Sequence, residues 1–281
     1  MNVGIGLPIG DPALLPGWAR RADAGPFSTL GLLDRLVYHN PEPLVALAVL
    51  AGATSRVRVQ TEVLLAPLRE PALLAKQAAT LDRMTGGRLV LGLGVGSRDD
   101  DHQVTGVDIR TRGRRLDGQM AVMRRIWSGQ PYGDDIGPIG PAPARPGGPE
   151  VLFGGFQRAA LARVARWGDG FLAAAAPSWA GGLFDTVRAS WKEHGRDGAP
   201  RIVAQVNVAL GPQDVVDDAR ANMHAYYAFT GRADQMVAGM LTTPVEIRDA
   251  IAAYADLGAD EVILYCYGLD PAQVDRLADV L

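Results

Sequence analysis

The chain has 281 residues, a formal net charge of −3 and a hydrophobic fraction of 48%. A chain of this length buries about three quarters of its unfolded surface, which suits one large domain or two small ones. The balanced charge and an aromatic fraction of 6% do not favour nucleic-acid binding. The single cysteine, Cys266, excludes an internal disulfide framework.

Neither the first residues nor the longest apolar run predicts export or membrane insertion. Residues 1–10 lack the basic and long apolar segments of a secretory signal. The apolar run over residues 44–53 is about half the length of a bilayer span. We therefore expect a cytoplasmic protein that binds neither membranes nor nucleic acids and acts on a small molecule.

Eight apolar segments have the length and composition of strands, and a helical pattern follows each of them. In chain order they cover residues 3–7, 29–33, 57–65, 88–96, 150–155, 170–174, 201–210 and 261–267. Alternating strands and helices predict a parallel sheet, and eight such units predict a (β/α)₈ TIM barrel. A doubly wound open sheet is the alternative, although it normally has fewer units. No repeat or linker divides the chain, so we expect one domain over residues 1–281.

Local signals indicate where helices begin and which faces are buried. Apolar side chains repeat at helical spacing at Leu116, Met120, Met123 and Trp127. Residues 243–246, TPVE, have the spacing of a capping box with proline at the first helical position. Asn40 followed by Pro41 predicts another helix start.

Two segments interrupt the alternation of strands and helices. Residues 129–149 are rich in proline and glycine, and residues 211–243 are longer than one crossover helix requires. The second segment contains Tyr226, Tyr227 and Phe229. We expect extended loops after strands four and seven, beyond the carboxyl ends of the strands, where barrel enzymes build their active sites.

The fourth strand carries glycine at every second position of an apolar run, at Gly92, Gly94 and Gly96. Glycine weakens a strand interior, so the pattern indicates that either a neighbouring element or a ligand approaches the backbone closely. Ser97 and Arg98 begin a polar run at the end of this strand. The spacing is not that of the GxGxxG dinucleotide fingerprint.

The fifth strand ends in Gly154 and Gly155, and a helix is predicted to begin at about Phe156 and Gln157. Free amides at a helix amino terminus bind anions, and barrels often bind phosphate at such a position. An ordinary turn between a strand and a helix is the alternative. A phosphate-bearing ligand fits the two glycines better.

Charged residues near the ends of the second and third strands are candidates for catalysis. Asp34 and Arg35 form either a catalytic acid–base pair or a structural ion pair. Glu62 lies in an apolar strand, which is costly unless its carboxylate is paired, with Arg58 or a neighbouring strand, or faces a polar cavity. The histidines and Cys266 have no metal-ligand spacing, and nucleophile-elbow and P-loop motifs are absent, so we expect no metal.

Three stretches, residues 74–120, 153–171 and 243–264, resemble the luciferase-like flavin-dependent oxidoreductases. This family includes the bacterial luciferases and many enzymes that use the deazaflavin coenzyme F-420. The resemblance implies a TIM barrel that holds a flavin ring at the carboxyl ends of its strands, commonly in a homodimer. The implied cofactor is reduced FMN or coenzyme F-420, and an FMN enzyme of this kind is compatible with a separate flavin reductase as partner.

The resemblance also implies which residues contact the cofactor. Gly94 and Gly96 would leave one face of the fourth strand open for the flavin. The cofactor phosphate would bind at Ser97, Arg98, Gly154, Gly155, Phe156 and Gln157. In this family a non-prolyl cis peptide bond in the third strand often supports the ring. That stretch is Thr61, Glu62 and Val63, and we place the cis bond next to Glu62.

Two positions depart from the family pattern. Val95 stands where bacterial luciferases have a phosphate-binding arginine, and Arg35 stands where a reactive histidine is common. We therefore expect Arg35 to stabilise negative charge on the reduced ring or the substrate, and Asp34 to orient Arg35. Five arginines have two possible interpretations: either they contact the acidic tail of the deazaflavin coenzyme, or they form a solvated helix face. These are Arg98, Arg112, Arg114, Arg115 and Arg158.

The hypothesis is an oxidoreductase that transfers hydride between its cofactor and a small organic substrate, or a monooxygenase in which reduced flavin activates oxygen. One alternative is a non-redox barrel enzyme that acts on a phosphorylated substrate at Gly154 and Gly155. The other is a flavin-binding subunit without turnover. Nothing in the two long loops identifies the substrate.

Overall fold

Eight parallel strands close into a barrel in the computed structural model, which describes all 281 residues. In chain order the strands are β1 (Asn2–Gly6), β2 (Thr29–Leu32), β3 (Arg58–Thr61), β4 (Leu64–Leu65), β5 (Leu89–Gly94), β6 (Pro131–Gly133), β7 (Ile136–Pro138), β8 (Glu150–Gly154), β9 (Gly170–Ala173), β10 (Arg201–Val208) and β11 (Glu261–Cys266). β3 and β4 are two halves of one barrel strand, and both pair with β5. β6 and β7 form a separate antiparallel hairpin. β11 pairs with β1 and closes the barrel, so the predicted fold is confirmed.

Helices surround the barrel and connect its strands. In chain order they are α1 (Leu15–Ala24), α2 (Pro43–Gly52), α3 (Pro71–Met84), α4 (Asp99–Thr105), α5 (Arg112–Trp127), α6 (Arg158–Trp167), α7 (Pro177–Glu193), α8 (Gln213–Tyr227), α9 (Ala233–Ala238), α10 (Pro244–Asp256) and α11 (Ala272–Ala278). No helix combines the length and the apolar character that crossing a membrane requires.

The capping box predicted at residues 243–246 is confirmed at the start of α10. The Thr243 hydroxyl accepts a hydrogen bond from the Glu246 amide, and the Glu246 carboxylate accepts one from the Thr243 amide. The predicted face of α5 is also confirmed, because Leu116, Met120, Met123 and Trp127 are all buried. Capping and amphipathic spacing therefore act here as local determinants of the fold.

The helix start predicted at Asn40 is wrong. α2 begins at Pro43, and its cap is Glu42, whose carboxylate accepts a hydrogen bond from the Val45 amide at 2.8 Å. A glutamate side chain thus caps this helix two residues after the asparagine that was expected to cap it. The preference for proline in the first turn of a helix is nevertheless met, because Pro43 is the first residue of α2.

The interior of the barrel differs between its two ends. At the amino-terminal end, Glu150 and Glu261 form ion pairs with Arg58 and Arg201. At the carboxyl-terminal end the interior opens into a cavity. The ion pairs fill one end with protein side chains, so a ligand approaches from the other end.

The two irregular segments lie at opposite ends of the barrel. Residues 209–243 follow β10 at the carboxyl end and contain α8 and α9, as predicted for the seventh strand. The placement of residues 129–149 was wrong, because they connect α5 to β8 and therefore lie at the amino-terminal end. They contain the β6–β7 hairpin, and Lys76 Nζ donates to the Gly140 carbonyl at 2.7 Å. The extension after the fourth strand is instead residues 95–111, which include α4.

Candidate active site

A cavity of about 660 Å³ lies at the carboxyl ends of the barrel strands. It brings together nearly all the residues predicted as site residues: Asp34, Arg35, Glu62, Val63, Gly94, Gly96, Ser97, Arg98, Gly154, Gly155, Phe156 and Gln157. These residues come from four different strand ends, which is how barrel enzymes assemble their active sites. The sequence patterns therefore identified the walls of one cavity.

Thr61 is the exception among the predicted site residues. Its side chain is fully buried, and its hydroxyl donates a hydrogen bond to the Gly92 carbonyl at 2.6 Å. It is not among the residues that line the cavity. Thr61 therefore joins β3 to β5, and its contact with a ligand stays a prediction.

The break between β3 and β4 contains the non-prolyl cis peptide bond, between Glu62 and Val63. Its predicted position next to Glu62 is confirmed. The peptide lies at the edge of the cavity, since both of its residues line the wall.

The glycines of β5 have two different roles. A side chain at Gly92 would collide with the Thr61 carbonyl, so this glycine permits close packing of the third barrel strand. Gly94 and Gly96 line the cavity, and Gly96 has a φ of +72°. A side chain at Gly94 would collide with Val63. The pattern thus reflects close packing at Gly92 and Gly94, and Gly94 and Gly96 also form part of the cavity wall.

The start of α6 forms one corner of the cavity. Gln157 is the capping position, but its side chain makes no capping hydrogen bond. Gly155 has a φ of +147°, a conformation that favours glycine. Ser97 and Arg98, from the end of the neighbouring β5, line the same cavity. A helix start without a side-chain cap, next to a hydroxyl and a guanidinium, is suited to binding an anion.

Arg35 is a buried cation with one unused nitrogen. Its Nε donates to Asp101 Oδ2 at 3.2 Å and its Nη2 donates to the Val37 carbonyl at 3.3 Å, whereas Nη1 has no partner. Its Cζ lies 5.0 Å from the centre of the Tyr38 ring and 5.4 Å from that of Phe229. The aromatic rings and Asp101 hold the guanidinium in place, which leaves one N–H group without a protein acceptor.

Asp34 has different partners from those predicted. Its Oδ2 accepts hydrogen bonds from the Leu65 amide at 2.8 Å and from Arg69 Nη1 at 2.6 Å. The predicted contact that would orient Arg35 is therefore absent, and Asp101 on α4 makes it instead. Asp34 ties the end of β2 to the segment after β4.

Asp101 is the main functional residue that the sequence did not identify. It is 66 residues from Arg35 in the chain, and its Oδ1 also accepts hydrogen bonds from the Leu36 and Val37 amides. The acidic run 99–101 was visible in the sequence. Which of its carboxylates turns inward depends on the position of α4, which no local pattern reports.

Glu62 is buried in the cavity wall without a cationic partner. Gln60 Nε2 donates a hydrogen bond to Glu62 Oε1, and Oε2 has no partner. The pairing with Arg58 that was an alternative is absent, because Arg58 binds Glu150. Burial raises the pKa of the Glu62 carboxyl to about 8, and the hydrogen bond from Gln60 opposes this shift. The carboxyl is therefore mostly protonated at neutral pH.

An aromatic wall from the segment after β10 closes the cavity opposite the strand ends. Tyr226, Tyr227 and Phe229 line it, and Arg98 Cζ lies 4.4 Å from the centre of the Phe229 ring. Burial raises the pKa of both tyrosines, so their hydroxyls stay protonated. The sequence indicated this aromatic cluster but not its contacts with the arginines.

The arginines proposed to contact an acidic tail fall into two groups. Arg98 and Arg112 line the cavity, together with Arg110 and Arg163, which the sequence did not single out. Arg114, Arg115 and Arg158 do not line it, and Arg115 donates to the Pro67 carbonyl at 2.8 Å. Arg114, Arg115 and Arg158 therefore fit the interpretation as a solvated helix face better than contact with a cofactor tail.

The family model for luciferase-like monooxygenases matches residues 6–259. The chain belongs to this family. The family recognised from residues 74–120, 153–171 and 243–264 is thereby confirmed.

Curated relatives match parts of the chain. An uncharacterised protein of Mycobacterium tuberculosis is 36% identical over 138 residues, 47% of this chain and 47% of that protein. The 4-hydroxyprotoasukamycin monooxygenase of Streptomyces nodosus subsp. asukaensis is 28% identical over 198 residues, 64% of this chain and 53% of that enzyme. The oxygenase component of the flavin-dependent trigonelline monooxygenase of Acinetobacter baylyi is 33% identical over 91 residues, 32% of this chain and 25% of that component. The chain spans about half the length of the mycobacterial and Streptomyces relatives it matches.

Two solved structures are similar over nearly the whole chain. An F-420-dependent secondary alcohol dehydrogenase in complex with an F-420–acetone adduct has a TM-score of 0.84 and 19% identity, covering 100% of this chain and 98% of that one. The FMN-bound oxygenating constituent of 3,6-diketocamphane monooxygenase from Pseudomonas putida has a TM-score of 0.77 and 16% identity, covering 100% and 96%. At these identities the similarity shows the fold.

Proposed function

We propose that this protein is a flavin-type oxidoreductase that binds FMN or coenzyme F-420 in the barrel cavity and transfers hydride between that cofactor and a small organic substrate. One observation carries the proposal. The uncapped start of α6, the glycines Gly94 and Gly96 at the end of β5 and the unpaired Nη1 of Arg35 all belong to a single cavity at the carboxyl ends of the strands.

The residues present fit such a cofactor at both of its ends. The amides at the start of α6, the Ser97 hydroxyl and the Arg98 guanidinium would hold its phosphate. Gly94 and Val63 would lie beside its ring. The cavity of about 660 Å³ falls in the size range of small-molecule sites. When bound, the cofactor supplies the hydride chemistry or, if it is reduced FMN, reaction with oxygen.

The protein would supply orientation, a dry pocket and charge. Arg35 Nη1 would donate a hydrogen bond to the group that becomes negative in the redox step, either on the reduced ring or on the substrate. Asp101 would keep Arg35 in that position. The aromatic wall of Tyr226, Tyr227 and Phe229 would exclude water and contact an apolar substrate.

The relatives support both cofactors. One similar structure contains an F-420 adduct and another contains FMN. The trigonelline relative is an oxygenase component. By analogy, if this protein uses reduced FMN, we propose that a separate flavin reductase supplies it.

The test is a titration of the purified protein with FMN and with coenzyme F-420, each oxidised and reduced, followed by absorbance and fluorescence under argon. Tight binding of one of them supports the proposal and assigns the cofactor. Admitting air to a reduced FMN complex then tests for reaction with oxygen. If neither binds at a concentration of about 100 μM, which lies within the usual range of KM values, the redox function is refuted and the phosphate-binding alternative takes its place.

We also propose that the protein is a homodimer. The outer faces of α2 and α3 expose large apolar side chains: Val45 at 66%, Val49 at 57%, Leu73 at 56% and Met84 at 81%. A cluster of this kind marks an interaction surface, and a second copy of the chain is an equally apolar partner. Light scattering after size exclusion should give a dimer mass for the wild type and a monomer mass for Val45→Glu. A monomeric wild type would refute this.

A further inference from the structure

Glu62 occupies a space that the neighbouring strand leaves for it. Gly31, in β2, faces the Glu62 side chain, and a Cβ atom at Gly31 would lie 2.6 Å from Glu62 Oε1 and 2.7 Å from its Cδ. Glu62 itself is only 9% exposed and lines the cavity. The missing side chain of Gly31 thus makes room for a carboxyl group in the cavity wall.

The surroundings of Glu62 favour an uncharged carboxyl. Its one hydrogen-bond donor is the neutral amide of Gln60, and no arginine or lysine binds it. Desolvation without a countercharge favours the protonated form, which raises the pKa to about 8.

The other charged and titratable groups near Glu62 are committed elsewhere. Glu261 and Arg201, deeper in the barrel, bind each other, and their effects on the Glu62 pKa have opposite signs. Tyr265 accepts a hydrogen bond from the Leu33 amide, and burial raises its pKa well above the usual value. The remaining pairs are Asp34 with Arg69 and Arg35 with Asp101.

We propose that Glu62 is the proton-donating acid of the redox step, a neutral carboxylic acid in the cavity wall that gives its proton to the substrate oxygen that gains negative charge. This inference rests on the proposed function. It makes the substrate a carbonyl compound and the product the corresponding alcohol, or the reverse. None of the other carboxylates that line the cavity is free, because Asp34 and Asp101 each bind an arginine.

The step balances as follows for carbonyl reduction. Hydride adds to the carbonyl carbon, with the reduced flavin-type cofactor as reductant, and the π electron pair moves to the carbonyl oxygen. The O–H bond of Glu62 breaks, its electron pair stays on the carboxylate, and a new O–H bond forms on the substrate oxygen. Arg35, as a permanent cation, stabilises the developing negative charge but cannot supply this proton.

The first experiment measures the protonation state of Glu62 in the full-length protein without any substrate. Glutamate labelled with ¹³C at the carboxyl carbon is incorporated, and the NMR resonance absent from Glu62→Gln is assigned to Glu62. We expect this resonance to titrate near pH 8, where burial places the pKa. A midpoint near the ordinary value of 4.5 would overturn the proposal.

The second experiment tests whether Glu62 senses the cofactor. A reduced ring carries negative charge, so an ionised Glu62 beside it weakens binding. For the wild type, the affinity for the reduced cofactor relative to the oxidised one should fall by up to about tenfold per pH unit above pH 8. Glu62→Gln should lose this fall, and Glu62→Asp should keep a pH-dependent fall.

A matched control removes a carboxylate far from the cavity. Glu193 is exposed at the end of α7, and Glu193→Gln should follow the wild-type pH profile. If Glu62→Gln also follows that profile while it still binds the oxidised and the reduced cofactor, Glu62 is not the acid and the proposed function stands. If neither cofactor binds the wild type at any pH, the proposed function itself fails, and the proton-donor role fails with it.

Discussion

Buried glutamates have different partners at the two ends of the barrel interior. At the amino-terminal end, Glu261 is fully buried and its carboxylate accepts hydrogen bonds from Ser28, Thr29 and Arg201. Glu150 lies beside it, and Arg201 and Arg58 lower its pKa in spite of burial. At the carboxyl-terminal end, Glu62 has a single neutral donor and a raised pKa.

The difference shows that partners, and not burial alone, decide the charge of a buried carboxyl. Arginines at one end bind both glutamates and lower the pKa of Glu150, so this end contributes a fixed structural network. The absence of an arginine beside Glu62 leaves a group that can gain or lose a proton near neutral pH. One end is suited to stability and the other to chemistry.

The largest effect is expected from replacing Arg201, the cation that both glutamates bind at the amino-terminal end. Arg201→Met leaves Glu261 without its cationic partner and leaves Glu150 with Arg58. We expect a loss of about 3–5 kcal/mol in the free energy of unfolding, measured by urea denaturation. The control Arg220→Met breaks an exposed pair on α8 and should cost less than about 1 kcal/mol. Equal losses for the two variants would contradict the structural role of Arg201.

At the carboxyl-terminal end, a substitution should stabilise the protein. The raised pKa of Glu62 means that the folded state holds a proton that the unfolded chain releases between about pH 4.5 and pH 8. Stability therefore falls as pH rises through this window, by about 1.4 kcal/mol per pH unit for one group.

Glu62→Gln removes that dependence. We expect this variant to be more stable than the wild type by roughly 4 kcal/mol at pH 8, and the difference to shrink to about zero near pH 4.5. Urea denaturation at pH 5, 6.5 and 8 provides the measurement. A difference that stays constant across this range would show that Glu62 is already ionised in the folded protein.

Arg35 is the counterpart of Arg201 at the carboxyl-terminal end of the barrel, because it is buried and, like Arg201, bound to a carboxylate. Asp101 uses one of its nitrogens and leaves Nη1 free, whereas Arg201 binds two glutamates. We expect Arg35→Met to weaken the binding of the reduced cofactor by about 10- to 100-fold, the loss of one hydrogen bond to a charged group. Oxidised cofactor should lose less. Unchanged affinity and turnover would remove Arg35 from the site.

The smallest expected effect is at the phosphate corner. Ser97→Ala removes one neutral hydrogen bond, so FMN affinity should fall about fivefold. Riboflavin, which lacks the phosphate, should bind the variant and the wild type equally well. Fluorescence quenching of the two ligands gives both constants. If riboflavin loses as much affinity as FMN, Ser97 contacts another part of the cofactor.

The sequence predicted what depends on local patterns. Strand and helix alternation and the capping box at Thr243 each depend on local spacing, and the structure confirms both. The glycines of β5 were also visible in the sequence, and Gly94 and Gly96 line the cavity. Glu62 was also visible, because a carboxylate in an apolar strand conflicts with its surroundings.

The features that were missed depend on contacts between distant elements. Asp101 reaches Arg35 because α4 packs over the end of β2, and the sequence contains no rule for that packing. The wrong position of residues 129–149 had a simpler origin. A loop that follows a helix leads back to the amino-terminal end of a barrel, whatever its composition.

Gly31 restricts how relatives of this chain can change. Because a Cβ atom at this position would overlap the Glu62 carboxyl, alanine at position 31 is compatible only with a shorter or displaced side chain at position 62. The two sites, 31 residues apart, are therefore expected to covary. An evolutionary path that replaces Glu62 first leaves an empty space that a later side chain at position 31 fills, whereas the opposite order passes through a clashing intermediate. In related sequences, the residue at position 31 should therefore indicate whether a glutamate is, or once was, present at position 62.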